Sequence, residues 1–586
     1  MNRRKGLVLG ALTATAALTL AACGSSTSGS KTASTTSTAS FNEGITKVVN
    51  PSNTKTNGTL TFDMAVTPDS TDYDNTYYAF MWDFVRLYSM SLLTYKSCPG
   101  ACGEQLVPDL ATGLGTVSDN GLVWTYHIQP DVKFQNGTVV TAQDVKYGIE
   151  RTYAKNLLPN GPTYYQVLLG DTGYKGPYAD PKTPLTSVTT PNSTTIQFHL
   201  LHPFSDFNYV VALPQSTPVL PSWDTGAHSG ANFQLDPIST GPYEFQSYTL
   251  NKQLTLVKNP NWNPATDPQA KQLVNKIVVN MNMNQNTVDQ NQIAGYADID
   301  MQGLGVQTAA KAKILTTPSL KDNADDAING FLRFAYLNEK VIPNVHCREA
   351  IEYAADKTTL QDAYGGSVIG GEIATTVMPP NIIGYKSFDL YNSTSMPGGD
   401  VAAAKAQLKL CGKPNGFNVG VAYRSDRPQD VAAASALEAA LATVGIKTTL
   451  DGYPTGTYYS NYAGVPAYVH SHDLGIAMGG WGADWPDGYG FLDELSNGDT
   501  IASAGNTNIA EINDPTINSL FAQAANDNNA ASRLAIWPEI DKDIMAQAAI
   551  LPIVYQKVLL YRNPDVTNVY MDSYYGMYNY AVLGLK

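Results

Sequence analysis

The chain of 586 residues is too long for a single hydrophobic core, so at least two lobes are expected. Its formal net charge of −14 argues against nucleic acid as a partner. The 43% hydrophobic and 15% charged content is otherwise that of an ordinary globular chain.

Residues 1–23 read MNRRKGLVLGALTATAALTLAAC. Arg3, Arg4 and Lys5 form a positive n-region, followed by an apolar stretch too short for a comfortable membrane span. Leu20-Ala21-Ala22-Cys23 resembles the bacterial lipobox, so 1–22 reads as a lipoprotein signal peptide and Cys23 as the lipidated N-terminus. Each buried acyl methylene contributes about 0.8 kcal/mol to membrane attachment. Residues 24–40 are almost wholly Ser, Thr, Gly and Ala, with too little apolar surface to offset their ordering entropy. The segment 23–56 is therefore expected to be a lipidated tether, holding a soluble body on the extracytoplasmic face of the cell membrane.

Without Cys23, four cysteines remain, which in an oxidising compartment suggests two disulfides. Three pairings exist, of which Cys98–Cys102 with Cys347–Cys411 is favoured; the spacings do not match paired-cysteine zinc patterns.

The ordered part begins near Gly58, with a strand over 58–66 and a loop after it. Leu122, Trp124, Tyr126 and Ile128 alternate as a strand, Asn136-Gly137 signals a hairpin turn, and Thr141 with Asp144 resembles a capping box opening a helix. Residues 155–230 are rich in Pro, Gly, Ser and Thr, with a short strand candidate at 194–200. A hairpin is expected within 239–262 and a buried strand at 277–282. From about 330 the texture changes: FLRFAYLN reads as strand and CREAIEYAADKTTLQDAY as helix. Helices at 400–412 and 431–445, closed by Gly412 and Gly445, alternate with strands at 417–423 and 446–453, which predicts an α/β lobe.

Motifs for chemistry are mostly absent. There is no HExxH, no P-loop and no nucleophile elbow. His470-x-His472-Asp473 and the acidic pair Asp493-Glu494 are weak signals for a metal and for glycoside hydrolysis. No metal, cofactor or catalytic residue is expected.

Six stretches in order, LTYKSCPGACGEQLVPDLA (93–111), SDNGLVWTYHIQPDVKFQNGTVVTAQDVKYGIER (118–151), TGPYEF (240–245), HCREAIEYAADKTTL (346–360), GWGADWPDGYGFL (480–492) and LPIVYQK (551–557), resemble the family-5 extracellular solute-binding proteins of ABC importers. The resemblance implies a class II periplasmic-binding-protein-like α/β fold: two lobes about a hinge, with an extra inserted domain. Lobe I would comprise 57–95, 232–328 and 553–586, the inserted domain 96–231, and lobe II 329–552. It also implies capture of a peptide or related cationic solute by a monomer and delivery to the permease subunits of an ABC transporter. A surface glycan or peptide hydrolase, or a sensor on the same fold, are the alternatives.

In peptide-binding members an aspartate in Trp-x-x-Asp pairs with the ligand's α-ammonium group, and Trp481-Gly482-Ala483-Asp484 matches that spacing. A cation sealed in a closed cleft needs a compensating anion, and Trp481 or Trp485 would add a cation–π face. Tyr243 and the loop from Thr67 to Tyr77 are candidates to face the cleft, with plain packing as the alternative. No basic residue stands out in the sequence as a partner for a ligand carboxylate.

Overall fold

The computed structural model describes residues 39–586, apart from Thr172, Asp180 and Asn528. The expected signal peptide, Cys23 and the first part of the expected tether, up to residue 38, lie outside the described residues. The rest of the expected tether, 39–56, is not free: Glu43–Thr46 is helical, the Gly44 N–H is bonded to Asp325 at 2.9 Å, and Val49 pairs with Val569. Among the described residues no helix is long and apolar enough to cross a membrane.

Three main sheets organise the chain. The first runs in the order Ile299–Asp300, Thr59–Asp63, Lys276–Asn280, Gln253–Lys258, Tyr243–Thr249. Thr59–Asp63 is parallel to both of its neighbours, whereas the three strands beyond it are antiparallel in sequence. Parallel neighbours need a long crossover, and the chain between 64 and 242 lies within it. That stretch carries a second, wholly antiparallel sheet, ordered Thr116–Ser118, Val123–His127, Thr195–His199, Val188–Asn192. Trp124 and Tyr126 point into its core, as the alternation requires. Helix Ala142–Thr152 follows with the Thr141/Asp144 capping box formed. The Asn136-Gly137 turn is present, with Gly137 at φ +85°, but it closes only a single bridge between Lys133 and Val139.

The third sheet is ordered Glu372–Ile373, Ile550–Tyr561, Ala324–Leu337, Ile476–Trp481, Asn418–Arg424, Lys447–Tyr453. Its two longest strands, of 14 and 12 residues, pair antiparallel. The expected lobe cuts at 328/329 and 552/553 thus fall inside continuous strands. Their ladder breaks between Ile328 and Leu332, where Gly330 takes φ +82°. Below the break Ala324, Leu559 and Tyr561 join one apolar cluster; above it Leu332, Phe334 and Ile550 join another.

The helix expected over 347–364 is two helices, Val345–Ala354 and Lys357–Tyr364. Asp356 interrupts it, because its carboxylate accepts the Thr359 N–H at 3.0 Å and caps the second helix. Cys98 is bonded to Cys102 and Cys347 to Cys411.

One ion cluster fastens the loop after the first strand to the helix of the second sheet. Arg151 is fully buried and meets Asp72 at 2.7 Å, Asp224 at 3.0 Å, and Asp74. Its guanidinium also lies 4.1 Å from the Phe233 ring centroid. Removing one partner of a buried pair leaves the others uncompensated. Arg151→Met is therefore expected to lower stability by about 3–5 kcal/mol in guanidinium denaturation. A loss under about 1 kcal/mol would show that the three carboxylates need no cation.

Candidate functional site

Strand Ile476–Trp481 lies between Ala324–Leu337 and Asn418–Arg424, and it delivers the Gly- and Trp-rich segment to the edge of the third sheet. The glycines answer to close approach. A Cβ at Gly480 would collide with the Arg333 guanidinium, and one at Gly482 with the Phe331 ring. After the strand the chain turns, with the Asp487 N–H bonded to the Trp485 carbonyl at 2.8 Å. Asp487 then caps helix Gly488–Ser496 through the Tyr489 N–H at 2.9 Å. Asp484 sits in this turn, its N–H donating to the Gly490 carbonyl at 3.0 Å.

The Asp484 side chain is 4% exposed. Its Oδ2 accepts from the Tyr77 hydroxyl at 2.7 Å and from the Tyr164 hydroxyl, while its carbonyl accepts from the Tyr574 hydroxyl at 2.7 Å. Tyr77 ends the loop after strand Thr59–Asp63, Tyr164 opens helix Tyr164–Leu169, and Tyr574 belongs to the C-terminal segment. All three donors therefore come from outside the third sheet and its helices. The Tyr77 loop is itself held by Asp69, which accepts the Thr76 hydroxyl at 2.6 Å and the Tyr77 N–H at 2.8 Å. Burial pushes the Asp484 carboxyl up to about 7, helped by the charge of Glu494 and opposed by the two phenols.

Trp481 stays half-buried against the core of the third sheet, with Nε1 buried and unpartnered. Trp485 does not fit the cation–π role expected for it. It is fully buried, donates Nε1 to Asp206 Oδ2 at 3.1 Å, and stacks with Tyr209 and Tyr489. Those contacts leave no ring face for a ligand. Tyr243 is likewise a packing residue: it is 1% exposed, and its hydroxyl accepts the Val274 N–H at 3.2 Å inside the first sheet's core. His470 and His472 diverge, the first bonded to Glu511 at 2.7 Å and the second stacked on Tyr468. Asp493 and Glu494 bond separately to Asn497 and Thr507.

Sequence reading missed a basic cluster on the same sheet. Arg333 projects from Ala324–Leu337, Arg424 ends Asn418–Arg424, and Arg427 immediately precedes helix Pro428–Ala442. Arg424 Nε meets Asp430 at 2.5 Å while its buried Nη2 has no partner. Arg333 donates to Gln556 at 3.1 Å and Arg427 to Thr455 at 3.2 Å. Burial and the charge of Arg424 hold Arg333 below its ordinary value; burial with both neighbours brings Arg427 down to about 10. Asp430 is bonded to Arg424, and Asp426 lies beside Arg427. Three guanidinium groups thus face two carboxylates, which leaves one positive charge over. Tyr78, on the loop that carries Tyr77, feels Arg427 and Arg424, and Tyr336 feels both Arg424 and Glu494. No spacing signal joins these arginines, since only the strand order brings 333 and 424 together.

The profile of the bacterial extracellular solute-binding proteins, family 5 (middle), matches residues 105–503. Heme-binding protein A of Haemophilus influenzae is 26% identical over 477 residues, 78% of this chain and 81% of its own. The probable D,D-dipeptide-binding periplasmic protein DdpA of Escherichia coli is 25% identical over 519 residues, 86% of this chain and 88% of its own. Among solved structures, clavulanic acid biosynthesis oligopeptide binding protein 2 superposes with a TM-score of 0.90 at 38% identity, covering 94% of this chain and 99% of that one. The Helicobacter pylori DppA in complex with the peptide STSA shares the fold, with a TM-score of 0.69 at 21% identity over 90% of this chain and 98% of that one.

Tyr77 and Tyr164 donate to the ionised form of Asp484, which lowers its pKa. Replacing both by Phe is expected to move the Asp484 titration further above about 7, as followed by carboxyl-carbon NMR. A downward shift would contradict this arrangement.

Proposed function

Because the chain belongs to the bacterial extracellular solute-binding proteins of family 5, we propose that it captures a short peptide or related zwitterionic solute between its lobes and delivers it to the permease of an ABC importer. The observation that carries this reading is the polarity of the site. A buried carboxylate follows strand Ile476–Trp481, and the strands on either side of it carry Arg333 and Arg424, whose cluster has a surplus guanidinium charge. In this reading Asp484 takes the ligand's ammonium, displacing the phenols that donate to it. Trp481 lines the ammonium end, and Arg424, with its free Nη2, takes the carboxylate with Arg333 and Arg427 beside it. One uncompensated positive charge suits one carboxylate. The similarity to a dipeptide-binding and an oligopeptide-binding protein supports a peptide.

The ladder break at 329–331 serves as the hinge, since a bulge bends a strand without severing it. Lipidation of Cys23 holds the protein, as a monomer, on the extracytoplasmic face. Binding is noncovalent and the reading includes no chemical step.

Mass spectrometry of what leaves the denatured protein tests the reading. Short peptides or a single zwitterion are expected, and a neutral or purely anionic solute would overturn it. Asp484→Asn should weaken binding of the recovered ligand by about 2–4 kcal/mol in calorimetry. Unchanged affinity would remove Asp484 from the ammonium role.

The sign of the pH dependence follows from Asp484. Its carboxyl titrates at about 7 before binding, and an ammonium favours the ionised form. Affinity is therefore full above about 7 and falls as the pH drops through it, by about tenfold per unit. Asp484→Asn should flatten that slope. A binding curve independent of pH between 5 and 8 in the natural protein would count against it.

A further inference from the structure

The turn that carries Asp484 is gripped from outside the third sheet. Asp206, just before helix Phe207–Val210 in the crossover stretch that carries the second sheet, is 2% exposed. Its Oδ2 accepts the Trp485 indole N–H at 3.1 Å, and its Oδ1 lies 3.0 Å from Arg533 Nη2 of helix Ala530–Ala546. A further hydrogen bond joins the Asp206 and Asp487 carboxyls. Trp485 and Asp487 both belong to the turn that Asp484 opens, so one side chain holds that turn at two points.

Two carboxyls in contact share a proton, because they cannot both ionise side by side. Burial lifts both above the ordinary carboxylate range, and the charge of Asp206 lifts Asp487 further. The Arg533 guanidinium and the Trp485 indole oppose the rise at Asp206. Asp206 is therefore the ionised member, and Asp487 holds the proton and donates it. The residues beside Asp206 dock with it. The Ser205 N–H donates to the Ala525 carbonyl at 2.9 Å and its hydroxyl to the Ala524 carbonyl at 3.1 Å, while Phe204 meets Tyr489 edge-on at 5.1 Å between ring centroids. The same crossover stretch supplies Tyr164, whose ring lies 5.0 Å from that of Trp485 and whose hydroxyl donates to Asp484.

We propose that Asp206 is a positioning residue for the ligand site: by holding Trp485 and Asp487 it keeps the Asp484 turn aimed and closed to water, so the site is competent only while the region of the second sheet is docked. An ionised acceptor gives the indole a charge-assisted bond, stronger than a neutral one. Trp485, so fixed, packs on Tyr164, the donor that arrives from the same region. Loss of the grip would admit water to Asp484 and weaken its attraction for a ligand ammonium, because the local dielectric rises. The proposal rests on the reading of Asp484 as the ammonium's partner, but its test does not, since the test reads the ligand-free protein.

That test is NMR of the whole protein, labelled at the tryptophan indoles and the aspartate carboxyls, with signals assigned through Trp485→Phe and Asp484→Asn. In the natural protein the Trp485 indole proton should exchange with solvent at least roughly a hundredfold more slowly than a free indole. Asp206→Ala should abolish that protection and bring the Asp484 titration down from about 7 toward the ordinary carboxylate range, since burial is the main cause of its rise. Asp206→Asn, which keeps an acceptor for the indole, should retain part of the protection. The proposal is overturned if Asp206→Ala leaves Asp484 titrating as in the natural protein, which would make Asp206 a packing residue only. It is equally overturned if Asp206→Asn protects the indole no better than Asp206→Ala does. Fast exchange of the Trp485 indole in the natural protein would overturn it without any variant. None of these outcomes bears on whether Asp484 meets an ammonium, which the affinity of Asp484→Asn decides.

Discussion

A carboxylate taken out of water must be met by donors, and for Asp484 those donors come from the far side of the molecule. Burial, with the charge of Glu494, pushes this carboxyl up to about 7 against the opposition of two phenols from other segments. The arrangement makes the site a junction by necessity. The third sheet contributes the acceptor, and Tyr77, Tyr164 and Tyr574 contribute the donors. A ligand ammonium is a stronger partner for such a carboxylate than a phenol, because both members of the bond are then charged.

Much of the remaining structure serves to place these few groups. Asp69 shapes the loop that ends at Tyr77. Arg151, through Asp72 and Asp74, locks the same loop to helix Ala142–Thr152. Gly480 and Gly482 carry no side chain because Arg333 and Phe331 occupy the space a Cβ would need. That crowding sets the arginine beside the strand that leads to Asp484. Arg333 and Arg424 sit on the two strands that flank the strand leading to Asp484.

The same contrast explains which expectations held at the level of single residues. The strand at Trp124 and Tyr126 and the capping box at Thr141 rest on contacts a few residues apart, and alternation or spacing reveals them. The continuous helix expected over 347–364 failed because Asp356 offers its carboxylate to a nearby N–H, a local competitor that apolar periodicity does not register. Trp485 looked like part of a binding surface, yet it is consumed by Asp206, Tyr209 and Tyr489. Tyr243 lies in the TGPYEF stretch that resembles the family, but its hydroxyl is spent on Val274.

By itself the sequence determined the α/β character, the family resemblance and the candidacy of Asp484, because each depends on residue type and short spacing. Tertiary structure decided what Asp484 meets, which tryptophan is only half-buried, and that Arg333, Arg424 and Arg427 form one basic cluster. Charges 91 residues apart become neighbours only through strand order, and a side chain's surroundings in the fold decide whether it is spent on packing or left to bind. Neither quantity is carried by local composition, since both arise from contacts between segments distant along the chain.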